Sequence, residues 1–329
     1  MASPQQIRTP ITDLFKINHP ILLAGMNVAA GPKLAAAVTN AGGMGVLGGI
    51  NYTPDMLRDQ IDELKSHLKD KNAPFGVDLL LPQVGGNARK TNYDYTKGKL
   101  DQLIDIIIES GAKLFVSAHV VEKLHKHGIL YMNMIGHPKH VKKCLELGVD
   151  IICAQGGEGG GHTGDIATTI LIPAVVEAVK GHKSPLTGGP VQVIAAGGIH
   201  NGQLLAASLM MGANAVWVGT RFVLCEEAGA PEAHKEAVRT ASFDDTVRTL
   251  IFTGRPLRVR KNPYIMNLNA SADDDTDPDD VLDQFRPFLM GQCASVCNDK
   301  KSAKVIVDEF VNDAAACLKN GNKSLVSKL

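Results

Sequence analysis

The 329-residue chain carries 34 Lys plus Arg against 34 Asp plus Glu, a formal net charge of zero, and 44% of it is apolar. That length suits one large domain or two ordinary ones, and the lack of a basic excess argues against a dedicated nucleic-acid binder. No apolar run reaches a membrane span, Met1-Ala2-Ser3-Pro4-Gln5-Gln6 has no secretory-signal character, and the six scattered cysteines point to reduced thiols.

Eight short, near-continuously apolar runs read as strands buried on both faces. They are Pro20–Ala24, Gly45–Gly48, Phe75–Leu81, Lys113–Ser117, Ile129–Met134, Asp150–Ala154, Val191–Ala196 and Ala215–Gly219. Helical segments lie between them, among them Pro32–Asn40, Pro54–Lys69, Leu100–Ser110, His137–Leu147, Ala167–Lys180 and Gly202–Met211. Thr53-Pro54 opens one helix, and Gly111, Gly148 and Gly212 close others. Strands alternating with helices imply right-handed parallel units, and eight of them predict an α/β fold of the (β/α)₈ barrel type. Chemistry in such a barrel sits where strands end and loops begin, and phosphate sites favour the loops of the last strands.

The alternation stops near Cys225. The expected organisation is a barrel over 1–225, a small, mainly helical cap over 226–285 inserted after strand eight, and a segment over 286–329 that returns to the barrel with a helix over Ser302–Leu318. Within the cap, Asp273 to Asp280 reads as a solvated acidic loop. An EF-hand loop needs a central glycine and a terminal Glu, and neither is there.

The turn Ala154-Gln155-Gly156-Gly157-Glu158-Gly159-Gly160-Gly161-His162-Thr163-Gly164-Asp165 follows the sixth strand and precedes a helix. Free amides in such a turn favour phosphate, and glycines let backbone approach a ligand. Similar turns recur at Ala196-Gly197-Gly198-Ile199 and Gly219-Thr220-Arg221-Phe222. His162 is the histidine of the first turn, placed for catalysis or for shaping the loop. His119 and His137 read as surface groups, His125 and His127 as solvated, and His200 as a helix cap. Glu158 reads as solvated, and Met210-Met211 as packing a helix on the barrel. No cysteine has a nucleophile setting, and no HExxH metalloprotease motif occurs. The final Ser327-Lys328-Leu329 matches a peroxisomal import address, which implies a receptor partner and a peroxisomal location; otherwise the chain is expected in the cytoplasm.

These motifs together resemble the nitronate monooxygenase (2-nitropropane dioxygenase) family of FMN-dependent barrel enzymes. The resemblance rests on Pro20-Ile21-Leu22-Leu23-Ala24-Gly25-Met26, Asn40-Ala41-Gly42-Gly43-Met44-Gly45, Phe75-Gly76-Val77-Asp78, Gly160-Gly161-His162-Thr163-Gly164, and the two later glycine turns. It implies FMN at the barrel mouth, with Ala24, Gly25 and Met26 against the flavin ring, and Gln155, Gly160 and Gly161 along the ring or ribityl chain. Gly197, Gly198, Gly219 and Thr220 would hold the phosphate. His162 would be the catalytic histidine. Asp78 stands where the family often has Asn, and Met134 where some relatives carry Lys. The implied reaction converts alkyl nitronates, with nitroalkanes as further candidates, and O₂ to carbonyl compounds and nitrite. His162 would serve as a base or, as imidazolium, hold the anion. The same barrel also serves FMN-dependent NAD(P)H reductases of quinones or enoyl thioesters, and a non-catalytic flavin binder or a sugar-phosphate enzyme would use the same loops.

Overall fold

The computed structural model describes residues 2–80, 94–117, 121–271 and 286–326. His119, the Asp273–Asp280 stretch, the Leu81 end of the third predicted strand and Ser327–Leu329 lie outside the described residues. A short helix α1 (Pro10–Phe15) precedes β1 (Ile21–Leu23), α2 (Pro32–Asn40), β2 (Gly45–Gly49), α3 (Pro54–His67), β3 (Phe75–Leu79) and α4 (Leu100–Ser110). Then come β4 (Leu114–Val116), α5 (Val121–His125), β5 (Leu130–Ile135), α6 (Val141–Glu146), β6 (Ile151–Gln155), β7 (Gly161–His162) and α7 (Thr168–Val179). The barrel finishes with β8 (Gln192–Ala196), α8 (Gly202–Met210) and β9 (Ala215–Val218).

Eight of these strands form one parallel sheet in the order β1-β9-β8-β6-β5-β4-β3-β2. A parallel bridge between Leu22 and Met44 joins β1 to β2, so the sheet curls nearly closed. All eight predicted strands are present, which makes this the expected α/β barrel.

Strand alternation explains why the apolar runs are continuous. Leu22, Val46, Leu114, Met132, Ile151, Ile194 and Trp217 point inward and form the barrel's inner core. Their neighbours Ile21, Leu47, Val77, Phe115, Ile152, Val193 and Val216 point outward and pack beneath the helices. With both faces of the strands covered, polar alternates are confined to a few positions, such as Asp78 and Gln155 at the strand ends. Side chains cap the helices: Thr53 accepts from Met56 N–H for α3, and Asn201 accepts from Leu204 N–H for α8. The final helix α12 (Ala303–Lys323), after α9 (Thr220–Val223), α10 (Glu232–Arg239) and α11 (Pro263–Ser271), packs back on α8 and α2. Among the described residues, no helix is long and apolar enough to cross a membrane.

The segment after β9 adds strands to its helices α10 and α11. It holds two strands, β10 (Thr246–Thr249) and β11 (Leu257–Arg260), which pair antiparallel. The pair recruits β7 as a third strand, with Leu257 opposite His162 and Arg258 opposite Gly161. Each strand is short, and arginines occupy the half-exposed alternates, so little apolar density marks them. The alternation Leu257-Arg258-Val259-Arg260 is the sequence trace they leave.

At the other end of the barrel, His125 is not solvated as its position on a surface helix suggests. Its Nε2 lies 2.8 Å from Asp150 Oδ2. Asp150 is 1% exposed and also accepts from Ser184 Oγ at 2.6 Å, Tyr131 N–H at 2.8 Å and Leu186 N–H at 3.3 Å. The carboxylate therefore ties the starts of β5 and β6 to the loop before β8. Asp150→Ala strands several buried donors, and stability should fall by about 3 kcal/mol or more, since each orphaned group costs about 1–3 kcal/mol. Urea midpoints check this, with Asp150→Asn losing less; an unchanged Asp150→Ala midpoint would remove the clamp.

Candidate active site

Period-two alternation sets which side chains face the mouth of the barrel. Val46, Met132 and Cys153 are inward, so Gly48, Met134 and Gln155, two residues on, form the next layer up. On β3, Phe75, Val77 and Leu79 belong to the outer core, which turns Asp78 inward at the same level, in register with Gly48 and Val116.

The end of β1 meets this layer at Gly25. A Cβ built on Gly25 would lie 2.2 Å from Asp78 Oδ2, so the carboxyl rests directly on the glycine backbone. Asp78 has no hydrogen-bond partner among the described residues, and burial pushes its carboxyl up to about 7. Gly219 adjoins the same corner: a Cβ there would be 3.5 Å from Ala24 Cβ and 3.6 Å from Met26 Sδ. Ala24, Gly25, Met26, Asp78 and Gly219 are thus contiguous.

The glycine-rich turns stack beside them. Gly197 has φ +94°, and a Cβ would meet Gly156 O at 2.7 Å and Gly156 N at 2.8 Å. Gly198, also at positive φ, lies over the Glu158 side chain. Glu158 is not solvated as expected. Its two oxygens accept from Thr168 N–H at 3.1 Å, and Oε2 accepts from the Thr168 hydroxyl at 2.7 Å, capping α7. Thr220 opens α9, and its Oγ1 accepts from Gly291 N–H at 2.9 Å. The Cys293 thiol lies against Cys297 and Thr220, contacts that hold it below the ordinary thiol range. Gly160 backs onto Met290 and Gly291. Gln155 Nε2 donates to the His162 carbonyl at 2.6 Å.

His162 is half-buried between this loop and the cap sheet. Its Nε2 lies 3.0 Å from Thr253 Oγ1. Burial, and then the charge of Arg255, push the imidazole down to about 4, so it is neutral at pH 7. The Thr253 hydroxyl reaches the Arg255 carbonyl at 3.4 Å. The cap also grips the loop. Arg258 donates twice to Gly157 O, at 3.1 and 2.9 Å. Arg248 donates to Gly164 O at 2.9 Å and pairs with Asp165 at 3.1 Å. Thr163 N–H donates to Pro256 O at 3.2 Å.

Thr253→Val keeps the shape and removes the hydroxyl that orients His162. The expected result is about a tenfold fall in kcat/KM, the size of one net hydrogen bond, with Thr253→Ser restoring most of it. Equal kinetics for Val and wild type would show that the contact does no orienting.

The remaining predicted residues fall elsewhere. His200 does not cap α8, which Asn201 does; its Nδ1 lies 2.9 Å from Gly198 O, bracing the turn. His137 Nδ1 accepts from Lys139 N–H at 3.1 Å and caps the 3₁₀ turn Pro138–His140. Met211 packs on the core, but Met210 is 74% exposed, so only half of that pair does what its apolarity suggests. Thr253, Arg255, Arg258 and the 290–291 backbone are the neighbours that sequence reasoning missed. Among the described residues no cluster of metal-binding side chains occurs.

The profile of the nitronate monooxygenase family matches residues 8–278. A (3aS,4S,5R,7aS)-5-hydroxy-7a-methyl-1-oxo-octahydro-1H-indene-4-carboxyl-CoA dehydrogenase of Mycobacterium tuberculosis is 36% identical over 272 residues, covering 81% of this chain and 70% of that protein. A probable nitronate monooxygenase of Staphylococcus saprophyticus is 30% identical over 310 residues, covering 82% and 83%. FabK from Thermotoga maritima superposes with a TM-score of 0.83 at 28% identity, covering 97% of this chain and 100% of that one. A nitroalkane oxidase from Streptomyces ansochromogenes superposes with a TM-score of 0.80 at 26% identity, covering 94% and 99%. Barrel, glycine turns and relatives agree: the chain belongs to the nitronate monooxygenase family and is an oxidoreductase.

Proposed function

We propose that this enzyme is an FMN-dependent monooxygenase that converts alkyl nitronates, with O₂, to carbonyl compounds and nitrite. The observation that carries the reading is the neutral His162 at a glycine-lined barrel mouth, with Arg255 close enough to depress its basicity. The residues suit FMN. Backbone without side chains at Gly25, Gly197 and Gly219 suits a ligand held by main-chain groups, and Asp78 offers a half-buried carboxyl with no hydrogen-bond partner among the described residues. Ala24, Gly25, Met26, Asp78, Gln155, Gly160 and Gly161 would line the ring side, and Gly197, Gly198, Gly219 and Thr220 the phosphate side.

Bound FMN supplies electron transfer from an electron-rich substrate and onward to oxygen. The chain's own groups decide which substrate that is. A base with a pKa of about 4 is poorly matched to removing the α-proton of a neutral nitroalkane at pH 7, because catalytic bases work best near the operating pH. A preformed nitronate needs no such step. It needs a hydrogen-bonding imidazole and a positive charge, which His162 and Arg255 supply together. Imidazolium is not the resting form, so Arg255 takes the charge role first considered for His162. Nitronate is therefore the preferred substrate over nitroalkane.

A second reading is an FMN-dependent NAD(P)H reductase of quinones or enoyl thioesters. The superposition on FabK supports it, as does the dehydrogenase relative whose substrate is a carboxyl-CoA. Aerobic turnover of propyl-2-nitronate separates the two. Nitrite should accumulate in step with acetone. Absence of nitrite, with NADPH consumed when a quinone is added, would overturn the monooxygenase reading.

A further inference from the structure

We propose that Asp78 holds the cofactor as a neutral carboxylic acid, donating its own proton to an acceptor on the flavin ring. The inference rests on the FMN reading and adds the protonation state and direction of one contact. It starts from placement. Asp78 is the inward-facing carboxyl at the mouth end of β3, and its Oδ2 sits against the α-carbon of Gly25, where any side chain would strike it. No described residue donates to it. Among the described residues, the elements packed around it offer no compensating charge: Gly25 after β1, Gly48 on β2 and Val116 on β4 are uncharged. Among the described residues its titratable neighbour is Cys153 on β6, a fully buried thiol pushed up by burial and by Asp78 itself.

A carboxyl with neither a donor nor a cation beside it avoids ionisation, because burial without compensation penalises the charged form. Burial alone raises Asp78 to about 7. A protonated carboxyl is a donor; an ionised one is an acceptor only. Flavin rings carry carbonyl and imine acceptors, so a protonated Asp78 does what an amide would do at this position. A ring acceptor that takes the proton stabilises the protonated form further, and binding becomes linked to that proton.

The test is flavin affinity of the full-length protein, freed of cofactor, from pH 5.5 to 9. The probe is FMN, and wild type is compared with Asp78→Asn. Titration of the FMN phosphate acts on both proteins alike and cancels in the ratio of their Kd values. That ratio should be flat below pH 7 and shift against the wild type by about tenfold per unit above it, as one linked proton requires. A ratio independent of pH, with FMN bound by both, overturns the proposal and leaves the FMN reading standing. No binding by either protein at any pH overturns both. Should Asp78→Asn fail to fold, riboflavin, which has no phosphate to titrate, serves with the wild type alone. Its affinity should fall above pH 7, and a flat profile overturns the proposal.

Discussion

Replacing His162 with Gln is expected to lower kcat/KM for propyl-2-nitronate by about tenfold, the size of one well-placed hydrogen bond, while the protein stays folded and coloured. Gln keeps similar bulk but cannot place its amide where the fixed ring nitrogens of the imidazole sit. The Gln155 bond goes to the backbone carbonyl of His162, and the β7–β11 pairing is also backbone, so neither needs the imidazole. The loss should therefore lie in turnover rather than in cofactor content. Steady-state kinetics with an absorbance ratio for bound flavin checks both. Unchanged kcat/KM would reduce His162 to a loop-shaping residue.

The same side chain carries a pH signature whose sign is set by its environment. Its folded pKa is about 4 against an ordinary 6.5. Between these values the folded state resists a proton that the unfolded chain accepts, so stability falls as pH drops from 6.5 toward 4. His162→Gln should remove that part of the acid sensitivity.

Gly197→Ala is expected to yield a colourless, less stable protein. Two penalties combine there. The backbone sits at φ +94°, which disfavours any L side chain by about 1–3 kcal/mol. The added methyl would also meet the Gly156 carbonyl oxygen at 2.7 Å and its nitrogen at 2.8 Å. These are backbone atoms with no rotamer to change, so the turns after β6 and β8 must separate. Gly188→Ala is the control: φ is +69°, and no atom lies within 4 Å of its added carbon. It should lose about 1 kcal/mol from the backbone term and keep its flavin. Thermal midpoints and absorbance of the purified variants compare the two. Equal colour in both would mean that the stacked turns are not the phosphate cradle.

The barrel was legible because its signal is dense and local. Each strand is an unbroken apolar run, as two covered faces require, and most helix ends carry a proline, glycine or side-chain cap. The glycine turns were legible for the same reason. The cap was not: β7 is two residues long and exists only because β11 arrives to pair with it. Thr253 reaches His162 across 91 positions of sequence, and no local pattern marks such a pair. Glu158 and His125 read as solvated because their partners, Thr168 and Asp150, are brought to them by the fold. Asp78 is the sharpest case. Its identity was plain in the sequence, but the lack of a compensating group among the described residues around it appears only in the assembled mouth.

The central claim is that this enzyme oxidises nitronates at a flavin beside His162. Its most direct test is an anaerobic titration of the purified protein, followed by visible absorbance, with propyl-2-nitronate and separately with NADPH. The flavin absorbance should bleach with nitronate and stay unchanged with NADPH. Rapid bleaching by NADPH, with none by nitronate, would contradict the claim and make the enzyme a reductase.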